Sequence, residues 1–432
     1  SKTDNPYQLN GMTEIIQNAI NNLEYMLISS LRRATQESKP RIAFLQGHGE
    51  YKFPNTQRVR ALLSPYYSIA DITLNDSIHA LDDVDGLIIA HPRTAFNDKD
   101  LYIIDQFVMN GGRLMVFMNT LSHQEDSLAK NFMDHTIRRN LTLDKMLFDY
   151  GVNIHENYVF DRICGYRKVR MDNASSLSWP YHVLASPSLH PITRNIDPVS
   201  LEYANELQLI ETPGVKLTKV LTSSSNANRS GLAPQISLMD FQIFGENPAF
   251  VENPEDPINK ITLAAMIEGT IPSHFINRDV IINVDTMASY IPANYRKKQL
   301  KSKEETKVFV VGNGTFIANE YDSIFRGGKY EYVSSPPFPF NALKYSKVND
   351  LNGRPLIYGN QEFIQNMVDY MMGDNSVLDI RSRQIEFKEM DKMKLQAEGS
   401  SIRYMNLFLP ITLVGLIAAL MMLSRKRKYI NR

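Results

Sequence analysis

Cysteine is nearly absent from this chain. Cys164 is the only one among 432 residues, so no intrachain disulfide can form, and paired Cys-x-x-Cys redox or zinc sites are excluded. A lone thiol of this kind usually packs as a small buried apolar group. An excess of either charge is missing too. Lys+Arg and Asp+Glu both number 47, so no global field recruits nucleic acid, and none is expected as a partner. Several catalytic motifs are also lacking. The chain has no G-x-x-x-x-G-K-[ST] for ATP, no G-x-S-x-G hydrolase elbow and no H-E-x-x-H zinc helix. A dinucleotide G-x-G-x-x-G fails at its third glycine, where Lys52 stands. No cofactor is therefore expected. No metal is expected either, since His48 and Glu50 supply only two neighbouring ligands.

What remains is the composition of a packed protein, 43% hydrophobic and 22% charged. The length suits two or three units, or one domain with a large insertion. The first residue is Ser1 and no signal peptide pattern opens the chain, so an upstream segment is expected.

The strongest local signal is at the other end. Residues 405–424, MNLFLPITLVGLIAALMMLS, carry no charge. As a helix they span ~30 Å, the thickness of a bilayer core. Pro410 falls in the first two turns, where a lost backbone hydrogen bond costs least. Arg425-Lys426-Arg427-Lys428 follows at once. The positive-inside rule places this 425–432 tail in the cytoplasm and the large body across an inner membrane, in the periplasm. Gly415 and Ala419 form a small-xxx-small pair that suits close approach of another helix.

The body reads as α/β. Apolar residues at helical spacing predict a helix over 13–36, within an N-terminal segment 1–38. Strands are predicted at 41–45, 66–74, 85–90 and 113–118, with helices at 55–63 and 97–110. Buried strands alternating with helices imply parallel pairing. The 39–150 order β-α-β-β-α-β suits a flavodoxin-like or class I glutamine-amidotransferase-like sheet. Residues 306–378 add a strand at 307–312 and a helix at 362–372 that could close it. Residues 151–305 are rich in Pro, Asn and Ser and read as a large insertion of loops and edge strands, at 201–210, 216–221 and 261–267. Residues 379–404 read as a polar helical stalk.

The stretch RIAFLQGHGE (41–50) runs a buried strand into a glycine turn that carries His48 and Glu50. In open parallel sheets, ligands bind beyond the carboxyl ends of the strands. Other strand ends bring His91 and Arg93, Asn119, and Asn313. If these strands are neighbours, His48, Glu50, His91, Arg93, Asn119 and Asn313 face one crevice suited to a small polar ligand. They are also the residue types that cap turns. An amidotransferase needs a cysteine on its strand-to-helix turn, yet the matching turn is Met118-Asn119-Thr120. The turn is thus expected to keep a shape without a reaction, and replacing His48 and Glu50 together by Ala is expected to leave the fold intact.

Those same segments resemble a known family. RIAFLQGHGE, DGLIIAHP (85–92) and GGRLMVFMN (111–119) resemble the amidotransferase-like domain of ABC-transporter auxiliary proteins. VFVVGNGTFIANE (308–320) and YGNQEFIQNMVDYMMGDNSVLDIRSR (358–383) look like its paired G-N-x-x-F and I-R-x-R signatures; HPITRNID (190–197) and LAAMIEG (263–269) also fit. With the C-terminal helix and basic tail, residues 10–432 resemble the gliding-motility-associated members of that family. The resemblance implies a "substrate-binding" subunit without naming a ligand. It also implies an N-terminal membrane helix upstream, a separate ABC permease, a cytoplasmic ATPase, and support of surface gliding and secretion machinery. Three functions stand open: a non-enzymatic membrane-anchored subunit, a periplasmic hydrolase or amidotransferase relative, and a sensing or cell-wall-binding scaffold.

Overall fold

The computed structural model describes residues 38–124, 127–128, 131–168, 176–242, 260–278, 298–304, 306–319, 321–326, 329–334, 343–349, 355–373 and 392–430, with positions 27, 30 and 31. The chain divides into a body, Asn22–Arg383, and a second unit, Ser1–Asn21 with Gln384–Arg432.

The body begins with β1 (Arg41–Leu45), α1 (Phe53–Leu63), β2 (Ser68–Ile72), β3 (Gly86–Ala90), α2 (Asp98–Met109) and β4 (Arg113–Phe117). Pro54 sits in the first turn of α1, where its missing N–H costs no helical bond. Asn97 caps α2 by accepting the Asp100 N–H at 2.8 Å. The next elements are α3 (Leu143–Asp149), β5 (Cys164–Lys168), β6 (Ser176–Pro187), β7 (Val199–Glu202) and β8 (Val215–Thr222). They are followed by β9 (Thr262–Gly269), β10 (Lys307–Val311) and α4 (Asn360–Met371).

One ten-stranded sheet organises them in the order β5-β6-β8-β9-β10-β4-β3-β1-β2, with β7 paired to β6. The half β2-β1-β3-β4-β10 is parallel throughout. From β10 outward every pairing is antiparallel.

Successive strand residues point to opposite faces, so each apolar strand feeds two cores. Ile42, Phe44, Ile88, Met115 and Phe117 pack with Val59 and Leu63 of α1 and Phe363 and Met367 of α4. Ala43, Leu45, Leu87, Ile89, Leu114 and Val116 pack on the other side with Leu101, Ile104 and Val108 of α2. A third, aromatic cluster joins Tyr158, Trp179, Tyr181 and Tyr203 within the middle region.

The middle region departs from expectation in three places, the first being 216–221, expected as an edge strand, which forms β8 between β6 and β9. The strand expected at 201–210 divides into Val199–Glu202 and Leu207–Leu209, because Tyr203 takes a positive φ of 57° that no strand continues through. The segment 261–267, expected as an edge strand, is the interior strand β9, flanked by β8 and β10. Its first six residues, Thr262–Ile267, are buried on both faces. The middle region therefore extends the main sheet.

The predicted 13–36 helix lies outside the described residues except at positions 27, 30 and 31, which are helical. Residues 379–391 of the expected stalk also lie outside them. In the second unit, α5 is a helix over Lys392–Ile430. It contains an apolar window, Leu407–Ser424, with mean hydropathy 2.4 and none of it buried. That is long and apolar enough to cross a membrane.

Candidate functional site

Strand order reverses between β1 and β3: β2 lies on one side of β1 and β4 beyond β3. In doubly wound sheets ligands bind beyond the carboxyl ends of the strands at such a switch point, and the segments 46–51 and 91–94 follow β1 and β3 there.

The first segment folds around two glycines. Gly47 and Gly49 have φ of 131° and 78°, a region that side chains with a Cβ rarely adopt. A Cβ on Gly49 would also meet Arg93 Cβ at 3.0 Å. The turn drives His48 inward. Its ring stacks on Phe96 with centroids 3.8 Å apart, and Nε2 lies 3.1 Å from Asp100 Oδ2. Glu50 Oε2 accepts the His48 backbone N–H at 2.7 Å. Glu50 Oε1 approaches His48 Nδ1 to 3.3 Å, but without hydrogen-bond geometry. Burial would lower the imidazole pKa, but Asp100 and Glu50 together outweigh it and raise it to about 9. His48 is thus a buried cation between two carboxylates. Held protonated at neutral pH, it is unsuited to accept a proton as a general base.

The second segment holds a histidine of opposite character. His91 has φ of 57° and donates its N–H to Phe117 O at 2.7 Å. Arg93 and Thr94 donate theirs to His48 O at 2.7 and 3.0 Å, tying the two turns together. The His91 ring stacks on Tyr51, with centroids 4.8 Å apart. Its Nε2 accepts from Arg139 Nη1 at 3.2 Å, while Nδ1 is buried on the Asn119 side without a good hydrogen bond. Burial, then the positive charges of Arg139 and Arg93, push His91 down to about 3, so it is neutral. Arg93 lies over the Tyr51 ring at 5.6 Å.

The two asparagines are spent on the fold. Asn119 donates to Tyr203 O at 2.8 Å and Asn205 Oδ1 at 3.2 Å, and accepts from Gly314 N at 2.8 Å. It locks the end of β4 to the loop after β10. Asn313 Oδ1 accepts the backbone N–H groups of Thr315 and Phe316 at 3.1 and 2.8 Å, and its amide donates to Glu202 O. The six residues named from sequence therefore form three groups: His48 with Glu50, His91 with Arg93, and the two asparagines at the β4 and β10 ends.

Asp100, Tyr51 and Arg139 were missed. Asp100 was readable only as a first-turn acid of α2, and Tyr51 as the residue after the turn. Arg139 follows a two-residue strand, Ile137–Arg138, where no periodicity marks any position. Cys164 is half-buried, and burial pushes its thiol up to about 12, which suits an inert side chain. Among the described residues no group of three or more His, Cys, Asp or Glu is placed to hold a metal. A cavity of about 230 Å³ lies at the opposite end of the sheet, bordered by Asp85, Tyr102, Phe107 and Arg113, away from these turns. In α5, Gly415 has open space where a Cβ would stand, and the residues of that window, Ala419 among them, are exposed.

The fold defines a mixed α/β body with buried polar turns at the carboxyl ends of its parallel strands, in a chain that also carries a helix long and apolar enough to span a membrane. Comparison with known proteins gives that class a family. The model of the ABC-type uncharacterized transport system family matches residues 39–343, and the chain belongs to that family. It is an auxiliary component of an ABC-type transport system. No curated protein matches. Among solved structures, the chain is similar to the mmIFT52 N-terminal domain, with 11% identity and a TM-score of 0.42, over 77% of this chain and 97% of that one.

Proposed function

We propose that this chain is a non-enzymatic, membrane-anchored subunit of an ABC transport complex. Its body stands in the periplasm, α5 crosses the inner membrane, and the basic tail lies in the cytoplasm. It docks on an ABC permease and, through it, on a cytoplasmic ATPase. Its sequence resembles gliding-motility components of the GldG type, so the complex is read as serving gliding and secretion machinery. The observation that carries the reading is the family match over 39–343. The exposed apolar window Leu407–Ser424, followed by four basic residues, supports the topology. Gly415 and Ala419 are the proposed contact for a permease helix. The strand order β2-β1-β3-β4-β10 supports a flavodoxin-like parallel half.

Enzymatic readings gain no support from these turns. The polar atoms of His48, Glu50 and Asn119 are largely taken up by protein partners, and the nucleophile position holds Met118, which is fully buried. The test is purification of the full chain from native membranes in mild detergent. A permease and an ATPase should co-elute in fixed ratio; a chain that elutes alone at native abundance overturns the reading.

A scaffold role has its own observation. Phe132, Met133, Ile137, Leu232 and Met239 are all at least half exposed and lie on segments joined by the pairing of Ser237 with Met133 and the bond from Leu238 N to Phe132 O. Such apolar exposure suits a gripping surface. Replacing Phe132, Met133 and Met239 by Ser should then release partner proteins without lowering stability.

A further inference from the structure

Two other arginines of this body each meet an acid. Arg60 donates to Asp71 at 3.2 Å, and Arg229 grips Glu206 through two bonds of 2.6 and 2.7 Å. Arg139 does not. Its side-chain partner is the neutral His91, at 3.2 Å. Arg93 likewise has no ion pair among the described residues; it lies over the Tyr51 ring, which stacks on His91. Glu202 acts on the Tyr51 hydroxyl and stands 3.9 Å from His182 Nδ1, but is not among the charges that bear on Arg139.

We propose that Arg93 and Arg139 form a subsite for a small oxyanion, a carboxylate or phosphate group, at the switch point beside the Tyr51–His91 pair. The inference rests on these strand ends being a ligand site and not on the transport role. Guanidinium forks match the geometry of both oxyanions and bind them bidentately. The local structure sets two such forks about one ring pair, Arg139 bonded to His91 and Arg93 over the Tyr51 ring stacked on it; burial first, and Arg93 second, hold the Arg139 guanidinium below its ordinary value. An arriving anion relieves that repulsion.

The surrounding residues preserve the positive field. His91 Nε2 accepts a hydrogen bond from Arg139 and so orients the guanidinium without neutralising it. Kept neutral by its burial, it adds no third cation. Both arginines are fixed by their backbones as well. Arg139 N–H donates to Thr120 O at 2.7 Å and Arg93 N–H to His48 O at 2.7 Å. Arg93 is exposed and Arg139 half-buried, so the pair borders solvent.

The experiment titrates the full chain in detergent with inorganic phosphate and, separately, acetate. Chloride at matched ionic strength is the baseline, and thermal unfolding is the readout. Wild type should show a saturable rise in Tm with phosphate, acetate or both; which one responds distinguishes the two sources of oxyanion. Arg139→Gln and Arg93→Gln should each raise the half-saturation concentration roughly tenfold or more, the loss expected for a charge-assisted bond. Without anion, Arg139→Gln should hold or raise Tm, because a repulsion is removed. The inference is overturned if neither anion exceeds chloride in wild type, if both variants respond like wild type, or if Arg139→Gln lowers the anion-free Tm while keeping the anion response. Should Arg139→Gln not fold, the exposed Arg93→Gln decides alone. Co-purification with a permease tests the transport reading separately, so the two can fail independently.

Discussion

His48 Nε2 lies 3.1 Å from Asp100 Oδ2, across the gap between the glycine turn after β1 and the first turn of α2. With Glu50 beside it, this contact holds the imidazole protonated with a pKa near 9, above its ordinary 6.5. A folded-state pKa above the unfolded one stabilises the fold fully below about pH 6.5 and loses that contribution as pH rises through about 9. Unfolding by denaturant should therefore show stability falling between pH 6.5 and 9. The ceiling is about 3 kcal/mol for a shift of this size. His48→Gln should flatten that slope and destabilise most near pH 6. An unchanged slope in the variant would assign the pH dependence elsewhere.

Glu50 and His48 are both buried and bonded to each other's turn. Their joint replacement by Ala, read from sequence as harmless, should instead be costly. It removes the acceptor of the His48 N–H and the partner of Asp100. A loss of about 2–4 kcal/mol is expected from denaturant midpoints. A loss below about 0.5 kcal/mol would match the intact fold expected from sequence.

Asn119→Ala should destabilise by about 2–3 kcal/mol, since it strands the buried Gly314 N–H and takes a donor from Tyr203 O. Thermal unfolding checks this. A near-neutral result would show that water replaces the amide there.

Gly314→Ala places a Cβ 2.3 Å from His91 Nδ1, and Gly312→Ala places one 2.3 Å from Asn205 O. Each should cost more than about 2 kcal/mol through overpacking. Gly231→Ala, with nothing within 4 Å of the added atom, is the control and should stay within about 0.5 kcal/mol of wild type. Equal effects at all three positions would contradict the packing described.

Leu416→Arg should weaken membrane retention, because a central arginine in a spanning helix costs about 2.5–3.5 kcal/mol. Alkaline extraction of membranes reads this out. Retention equal to wild type would argue against α5 as the anchor.

Much of the parallel half was legible in advance. β1 appears over the predicted residues, and β3, α2, β4 and β10 shift by a residue or so. Apolar runs with Gly, Pro or Asn at their ends leave little freedom there. β9 was misplaced because a short apolar run among polar loops carries no sign of what will flank it. At the site, residues on the glycine turn and strand ends could be named. Their partners could not, because Asp100 and Arg139 reach them through the fold and not through spacing. Charge state was the least readable feature. His48 and His91 look alike in sequence, yet one sits between carboxylates and the other beside guanidiniums.

β4 finds its second neighbour, β10, only far along the chain, where Val308 pairs with Leu114. During synthesis the first four strands emerge with that edge bare, and it stays bare until the whole middle region has been made. An apolar strand with an open ladder recruits other chains, and late pairing of this kind slows folding. The order of synthesis thus makes the nascent protein dependent on being shielded from its own copies for the entire interval between β4 and β10.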